Sequence, residues 1–272
     1  MSAPPGVTVI CALASEAQPL IDYWRLKAVR ERPLRVFGDH PLRVVISGVG
    51  SHASAAAVGF SAGLHEARSD DIWLNLGIAG HRSHALGTPL LAARVSHHGR
   101  DGAWYPSLLF TAPCAIAELI THDHPVTDLP PRALCDMEAA GFMAATSRIA
   151  AGDLVQVVKV VSDNVESGLE GIERVRVHAL MLAALPTVLT LIARLREVAA
   201  RLPLTTDHSG AAALLARWHF THAQTTQLRQ LLQRHALLAG PAAFNAGQLG
   251  EPLSSAALLA SLRDVVDKLP LP

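Results

Sequence analysis

The sequence predicts an α/β protein built on a mixed, mostly parallel sheet, with a helical extension at its C-terminal end. Three observations carry this. Continuous apolar runs at 7–13, 71–76 and 154–162 read as strands buried on both faces, as in a parallel sheet covered by helices. Alanine-rich helical stretches alternate with these runs, the order of βα units. Beyond residue 200 the strand signals stop and only helical patterns continue. Half of the 272 residues are hydrophobic and 17% are charged, which suits a large core and argues against disorder.

The elements follow in order. A first buried strand covers 7–13, and Ser15 is placed to cap a helix from about 16 to 28. Residues 34–37 and 42–47 are β-rich runs around the turn Gly38-Asp39-His40-Pro41. The second run ends in the glycine turn SGVGS (47–51), and 53–64 reads as a small-residue helix. Strand 71–76 ends in a second glycine turn, NLGIAGH (75–81). Strand 89–95 precedes the polar SHHGRDG, 104–110 and 117–121 are shorter strand candidates, and 121–132 is a loop with three prolines. A helix at 138–149 and a strand at 154–162 come next, then a polar loop with Gly168 and Gly171. A long helix, 172–200, carries Pro186, where a kink is expected. LPLTTDHSG (202–210) reads as a linker, and 211–219, 223–238 and 254–269 as helices. The division is therefore an α/β domain at 1–200 and a helical extension at 201–272.

Composition excludes several classes. Lys+Arg equals Asp+Glu at 23 each, so no global charge points to nucleic acid or an anionic membrane. In the extension, a modest basic bias with Trp218 and Phe220 reads as a packing face rather than a nucleic-acid patch. The N-terminus lacks a basic region before its apolar run, which Glu16 interrupts, so no signal peptide is expected. The longest apolar run, 179–193, is short for a membrane span. Cys11, Cys114 and Cys135 lie in apolar contexts and read as reduced core cysteines. The histidine pairs His81/His84, His97/His98 and His122/His124 lack a completing ligand set, so no metal is expected. A cytoplasmic protein without a membrane partner is the expectation.

Chemistry is sought at 134–164. There Asp136 and Glu138 open the helix and Asp163 sits just past the strand, so carboxylates stand at the ends of apolar elements. Burying such groups is costly unless they are partnered or functional.

Five segments in order, VICALASEAQPL (9–20), VVISGVGSHASAA (44–56), WLNLGIAG (73–80), DMEAAG (136–141) and VVKVVSDN (157–164), resemble the purine-nucleoside phosphorylase / nucleosidase family. The likeness covers roughly residues 7–200 and is closer to the hydrolytic branch, the methylthioadenosine/adenosylhomocysteine nucleosidases. It implies a three-layer α/β/α sandwich and cleavage of the N-glycosidic bond of a purine-type, 5′-modified or unmodified nucleoside. Such cleavage needs an acid for the leaving base, a nucleophile on the opposite face and a grip on the ribose hydroxyls. The resemblance assigns Asp163 as the acid, Glu16 as the carboxylate orienting the attacking water, and Glu138 as the acceptor for the ribose hydroxyls, with Met137 against the sugar. Asp136 reads as a cap.

Gly48 and Gly50 are expected to bring backbone to the ligand, with Asn75, Gly77, Ile78 and Gly80 forming the second turn of the pocket. Asn75 stands where bacterial phosphorylases have an arginine, and Glu16 would repel a phosphate dianion, so both lean towards water. Arg82, Arg174 and Arg176 read first as surface arginines, although some phosphorylases place an acid-assisting arginine at the spacing of the last two. His98 is a candidate for the pocket wall. Ile78 replaces a serine common in the family, and HPVTDL (124–129) stands where the base-binding segment is expected without aligning to it. A phosphorylase and a non-catalytic nucleoside-binding protein remain the alternatives. The expected partner is a small-molecule nucleoside, with no cofactor, and the chain is expected to form a homo-oligomer, a dimer first.

Overall fold

The computed structural model describes residues 5–64, 68, 70–166, 173–201, 214–239, 246–250 and 252–269. By its contacts the chain divides into two units, with Ala3–Arg201 in the first and Leu202–Pro272 in the second. The expected loop glycines Gly168 and Gly171, the linker 202–210 and the start of the helix at 211–219 lie outside the described residues.

The first unit is a mixed α/β fold around a ten-stranded sheet. Its central strands are β1 (Val7–Cys11), β4 (Leu42–Ile46) and β5 (Ile72–Gly80), with β1 parallel to both neighbours. Two short strands, β2 (Ala28–Arg30) and β3 (Arg35–Phe37), extend this side in antiparallel fashion. On the other side β5 runs parallel to β10 (Val155–Asp163), whose nine residues are all buried. Next to β10 come β6 (Pro89–His97) and β8 (Ala115–Thr121), then β9 (Ala133–Asp136). β7 (Ala103–Trp104) hangs on β6. Because β9 pairs back to β5 at Gly80↔Cys135, the strands β5–β10–β6–β8–β9 form a closed ring. The long ladders are parallel, as the two-sided apolar runs predict, and the antiparallel links are short.

The core runs through Ile10, Val45, Trp73, Leu90, Leu119, Leu134, Phe142 and Val157, each under 2% exposed. A fully buried aliphatic or aromatic side chain of this kind contributes about 1.5–3 kcal/mol. Helices α1 (Ala14–Trp24) and α4 (Arg174–Arg201) pack on one another and on the sheet, and α2 (Ser51–Leu64) packs against α3 (Ala139–Thr146). Gly141 makes the second contact possible: a Cβ there would lie 1.8 Å from the Ser51 carbonyl oxygen. α4 is long and apolar enough to cross a membrane by length and composition. Its buried residues, from Val177 through Ala199, recur at helical spacing along one face.

Several expectations are corrected. Residues 75–80 are not a turn but the second half of β5, and neither Gly77 nor Gly80 takes a positive φ. Those glycines are needed for space, not for a bend. Ser15 does not cap α1. Leu13 is the N-cap residue, and its N–H donates to Glu16 Oε2 at 2.8 Å. The helix stops at Trp24 because Arg25 turns left-handed at φ 52°, which frees Ala28 to enter β2. Residues 105–110 are not a strand, in line with Pro106, which cannot donate to a ladder. The short β9 was not foreseen. It makes Asp136 the last residue of a strand rather than the start of a helix, and Asp163 likewise ends β10 instead of following it. α3 ends at Thr146, short of 149. α4 begins at Arg174 rather than 172 and includes Pro186 within its length.

The second unit is helical. α5 (His222–Ala239) and α6 (Ser255–Asp267) pack around Leu214, Leu228, Leu232, Leu258 and Leu262. Ser254 caps α6 by accepting the Ala257 N–H at 3.1 Å.

Candidate active site

A cavity of about 300 Å³ opens at the carboxyl ends of β5, β9 and β10, and Glu16, Glu138 and Asp163 all line it. Three distant pieces of chain therefore converge, where ligands bind in sheets of this type. The rest of the wall includes Leu13, Val49, Ile78, Leu129, Cys135 and Met137.

Glu16 reaches the cavity from the first turn of α1 and is 3% exposed. Its carboxylate accepts the Leu13 N–H at 2.8 Å and the Ile78 N–H at 2.9 Å. Burial outweighs these bonds and the attraction of Lys159, and pushes its pKa up to about 7. Room for it comes from Gly77, where a Cβ would meet Glu16 Oε1 at 2.7 Å and Lys159 Nζ at 3.3 Å.

Glu138 is the N-cap residue of α3. Its Oε1 accepts the Gly50 N–H at 2.9 Å and its Oε2 faces Lys159 Nζ at 3.6 Å. Positive φ angles at Gly48 (82°) and Gly50 (110°) shape the turn that presents this N–H and carries Val49 to the cavity. Asp136 caps α3 through the Ala139 N–H (2.8 Å) and accepts the Thr121 hydroxyl (2.7 Å). It also binds Lys159 Nζ at 2.8 Å.

Lys159 is the residue that sequence reading missed. Its side chain is 1% exposed in the middle of β10. Burial pulls its pKa down, but the carboxylates of Asp136, Glu138 and Glu16 outweigh this and hold it well above the ordinary lysine value. One ammonium thus faces three acids behind the cavity. A lone lysine inside the otherwise apolar VVKVV was the available signal. Removing one partner of a buried ion pair costs about 3–5 kcal/mol. Lys159→Met is therefore expected to lower unfolding stability by about that much in denaturant titration at neutral pH.

Asp163 ends β10 beside Gly80, where a Cβ would fall 2.6 Å from its Oδ2. Burial raises its pKa, against a hydrogen bond from the Ser162 hydroxyl (2.6 Å) and the positive charge of Arg176. Cys135, also on the wall, has its thiol pushed up to about 11 by burial and by Asp136 and Asp163, so it stays protonated.

The remaining candidates sort clearly. Met137, Ile78 and Gly80 line the cavity. Gly48, Gly50 and Gly77 act through Val49, Glu138 and Glu16 rather than by lining it. Asn75 is corrected: it is buried within β5, its amide donating to the Ile10 carbonyl at 3.3 Å, away from the cavity wall. His98 is corrected too, because it stacks on His122 at 4.8 Å and does not line the cavity. Arg82 reaches the Leu129 carbonyl at 3.3 Å from outside. The segment 124–129 supplies His124, Pro125, Val126 and Leu129 to the wall. Among the described residues, no group of three or more His, Cys, Asp or Glu is arranged to hold a metal.

Comparison of the sequence with protein-family models and with curated protein sequences finds no match. Solved structures do match. The apo 5′-methylthioadenosine nucleosidase of Arabidopsis thaliana is 20% identical, with a TM-score of 0.58 over 71% of this chain and 97% of that one. The futalosine hydrolase of Helicobacter pylori is 12% identical, with a TM-score of 0.58 over 70% and 97%. The 5′-methylthioadenosine/S-adenosylhomocysteine nucleosidase of S. pneumoniae, with a transition-state inhibitor, is 18% identical, with a TM-score of 0.57 over 70% and 99%. The chain thus shares the fold of these nucleosidases and of futalosine hydrolase, and it spans nearly the whole of each neighbour.

Proposed function

We propose that this protein hydrolyses the N-glycosidic bond of a purine-type nucleoside, with Asp163 as general acid, Glu16 as the base for water and Glu138 as the ribose grip. One observation carries the reading: Glu16, Glu138 and Asp163, far apart in sequence, line a single cavity. In the reaction, Asp163 gives its proton to the departing base as positive charge builds on the ribosyl carbon. Glu16 takes a proton from the water that attacks that carbon. Glu138 accepts hydrogen bonds from the ribose hydroxyls, with Met137 against the sugar.

Water is favoured over phosphate by charge. Lys159 is already matched by Asp136 and Glu138, and neither arginine nor lysine is among the described residues lining the cavity. A phosphate dianion would meet Glu16 without a cationic cradle. On this reading residues 1–200 are the nucleosidase-like domain, with the expected three-layer α/β/α arrangement, and 201–272 an appended helical unit. The protein would work as a cytoplasmic homo-oligomer, a dimer first, in keeping with three free cysteines.

The test is a panel of purine nucleosides and 5′-modified analogues, incubated with and without phosphate. Free base and free ribose released without phosphate are expected. Strict phosphate dependence would replace hydrolysis by phosphorolysis. Tight binding with no release would make the protein a nucleoside-binding module.

A further inference from the structure

The cavity wall carries a feature that the proposed acid, base and ribose grip leave unexplained. Leu129 is 4% exposed yet lines the cavity. It converges with the Asp163 carboxyl on one point: a Cβ on Gly80 would lie 2.6 Å from Asp163 Oδ2 and 2.8 Å from Leu129 Cδ2. A methyl group and a carboxyl oxygen thus share the bare face of Gly80. Leu129 stands near the end of segment 124–129, before Pro130 and Pro131. Its backbone is tied by Arg82, whose Nη1 donates to the Leu129 carbonyl at 3.3 Å. Arg82 itself sits in a folded turn: the His81 N–H donates to the Asp163 carbonyl at 3.0 Å, and His81 Nδ1 accepts the Ser83 and His84 N–H groups at 3.2 Å each. The turn that leaves β5 therefore grips both the end of β10 and segment 124–129.

We propose that Leu129, tethered by Arg82, is a positioning residue that excludes water from the Asp163 carboxyl on its leaving-group side. This rests on the reading of Asp163 as general acid. An acid in an apolar setting keeps its proton to higher pH, because the charged form is poorly solvated there. In the catalytic step that proton passes from the Asp163 oxygen to a base nitrogen, the N-glycosidic electron pair goes to the base, and a carboxylate remains. Opening the Leu129 side would hydrate that carboxylate and release the proton too early.

The first measurement needs no turnover. A ¹³C titration of the aspartate side-chain carboxyls, with Asp163→Asn to identify the signal, is expected to show Asp163 losing its proton at lower pH in Leu129→Ala. Arg82→Ala should shift it in the same direction by less, and Leu129→Met should restore it. The second is kinetic. A purine nucleoside needs the acid, whereas 4-nitrophenyl riboside leaves as a stable phenolate without it. Leu129→Ala is expected to lose purine kcat/KM at neutral and alkaline pH, about tenfold per pKa unit, to recover towards acid pH, and to retain the 4-nitrophenyl rate. An unmoved Asp163 titration in Leu129→Ala, or equal losses on both substrates, would overturn the proposal. A wild-type protein that cleaves no nucleoside would overturn the hydrolase reading instead, while the titration still decides whether Leu129 keeps Asp163 dry.

Discussion

Asp163→Asn is expected to lower kcat for purine nucleosides by about 10²–10⁴-fold, the usual contribution of a positioned general acid. Folding should be preserved. The Ser162 hydroxyl that now donates to Asp163 Oδ1 at 2.6 Å can donate equally to an amide oxygen, and the replacement keeps the volume that Gly80 leaves free. Circular dichroism melts should therefore superimpose while turnover collapses. Cleavage of 4-nitrophenyl riboside, which needs no protonated leaving group, should survive. Undiminished purine turnover in this variant would remove Asp163 from the chemistry.

Glu16→Gln is the second large effect, again about 10²–10⁴-fold in kcat, because a neutral amide cannot take a proton from water. Here the pH dependence is informative. Glu16 must be ionised to act as base, and burial holds its pKa at about 7. With 4-nitrophenyl riboside, which isolates this group, wild-type activity should rise as pH passes through about 7 and then level off. Glu16→Gln should show no such rise. The same group leaves a mark on stability. Its carboxyl binds a proton more tightly folded than unfolded, so the folded state should lose stability as pH climbs from about 4.5 to about 7. A rate that peaks well below this window would show that another carboxylate serves as base.

Glu138 and Asp163 were legible because they stand at the ends of apolar elements, and the motif order added Glu16. Their supports were not. NLGIAG looks like a glycine turn in one dimension, yet Gly77 and Gly80 lie in extended β5 and serve to admit Glu16 and Asp163 from neighbouring elements. That demand arises between strands, so spacing along the chain does not reveal it. In the sequence Lys159 is only one polar residue in an apolar strand, since the acids that hold it arrive from β9, α3 and α1. In the sequence Gly141 only closes the segment DMEAAG, whereas its missing Cβ lets α3 sit against the start of α2 and brings Glu138 to Gly50. The four-residue β9 is too short to announce itself by alternation. His98 and Asn75 failed for the converse reason: proximity in sequence to a motif does not aim a side chain.

The ring of strands has an uneven seam. β5 is stitched to β10 along most of its length, but it meets β9 at the single pair Gly80↔Cys135, beside the cavity. Opening costs least where the fewest cross-strand bonds must break. Amide hydrogens around Cys135 and Asp136 should exchange with solvent sooner than those at Leu74–Leu76, deep in β5. A fluctuation at that pair would part the cavity wall while the long ladders stay closed.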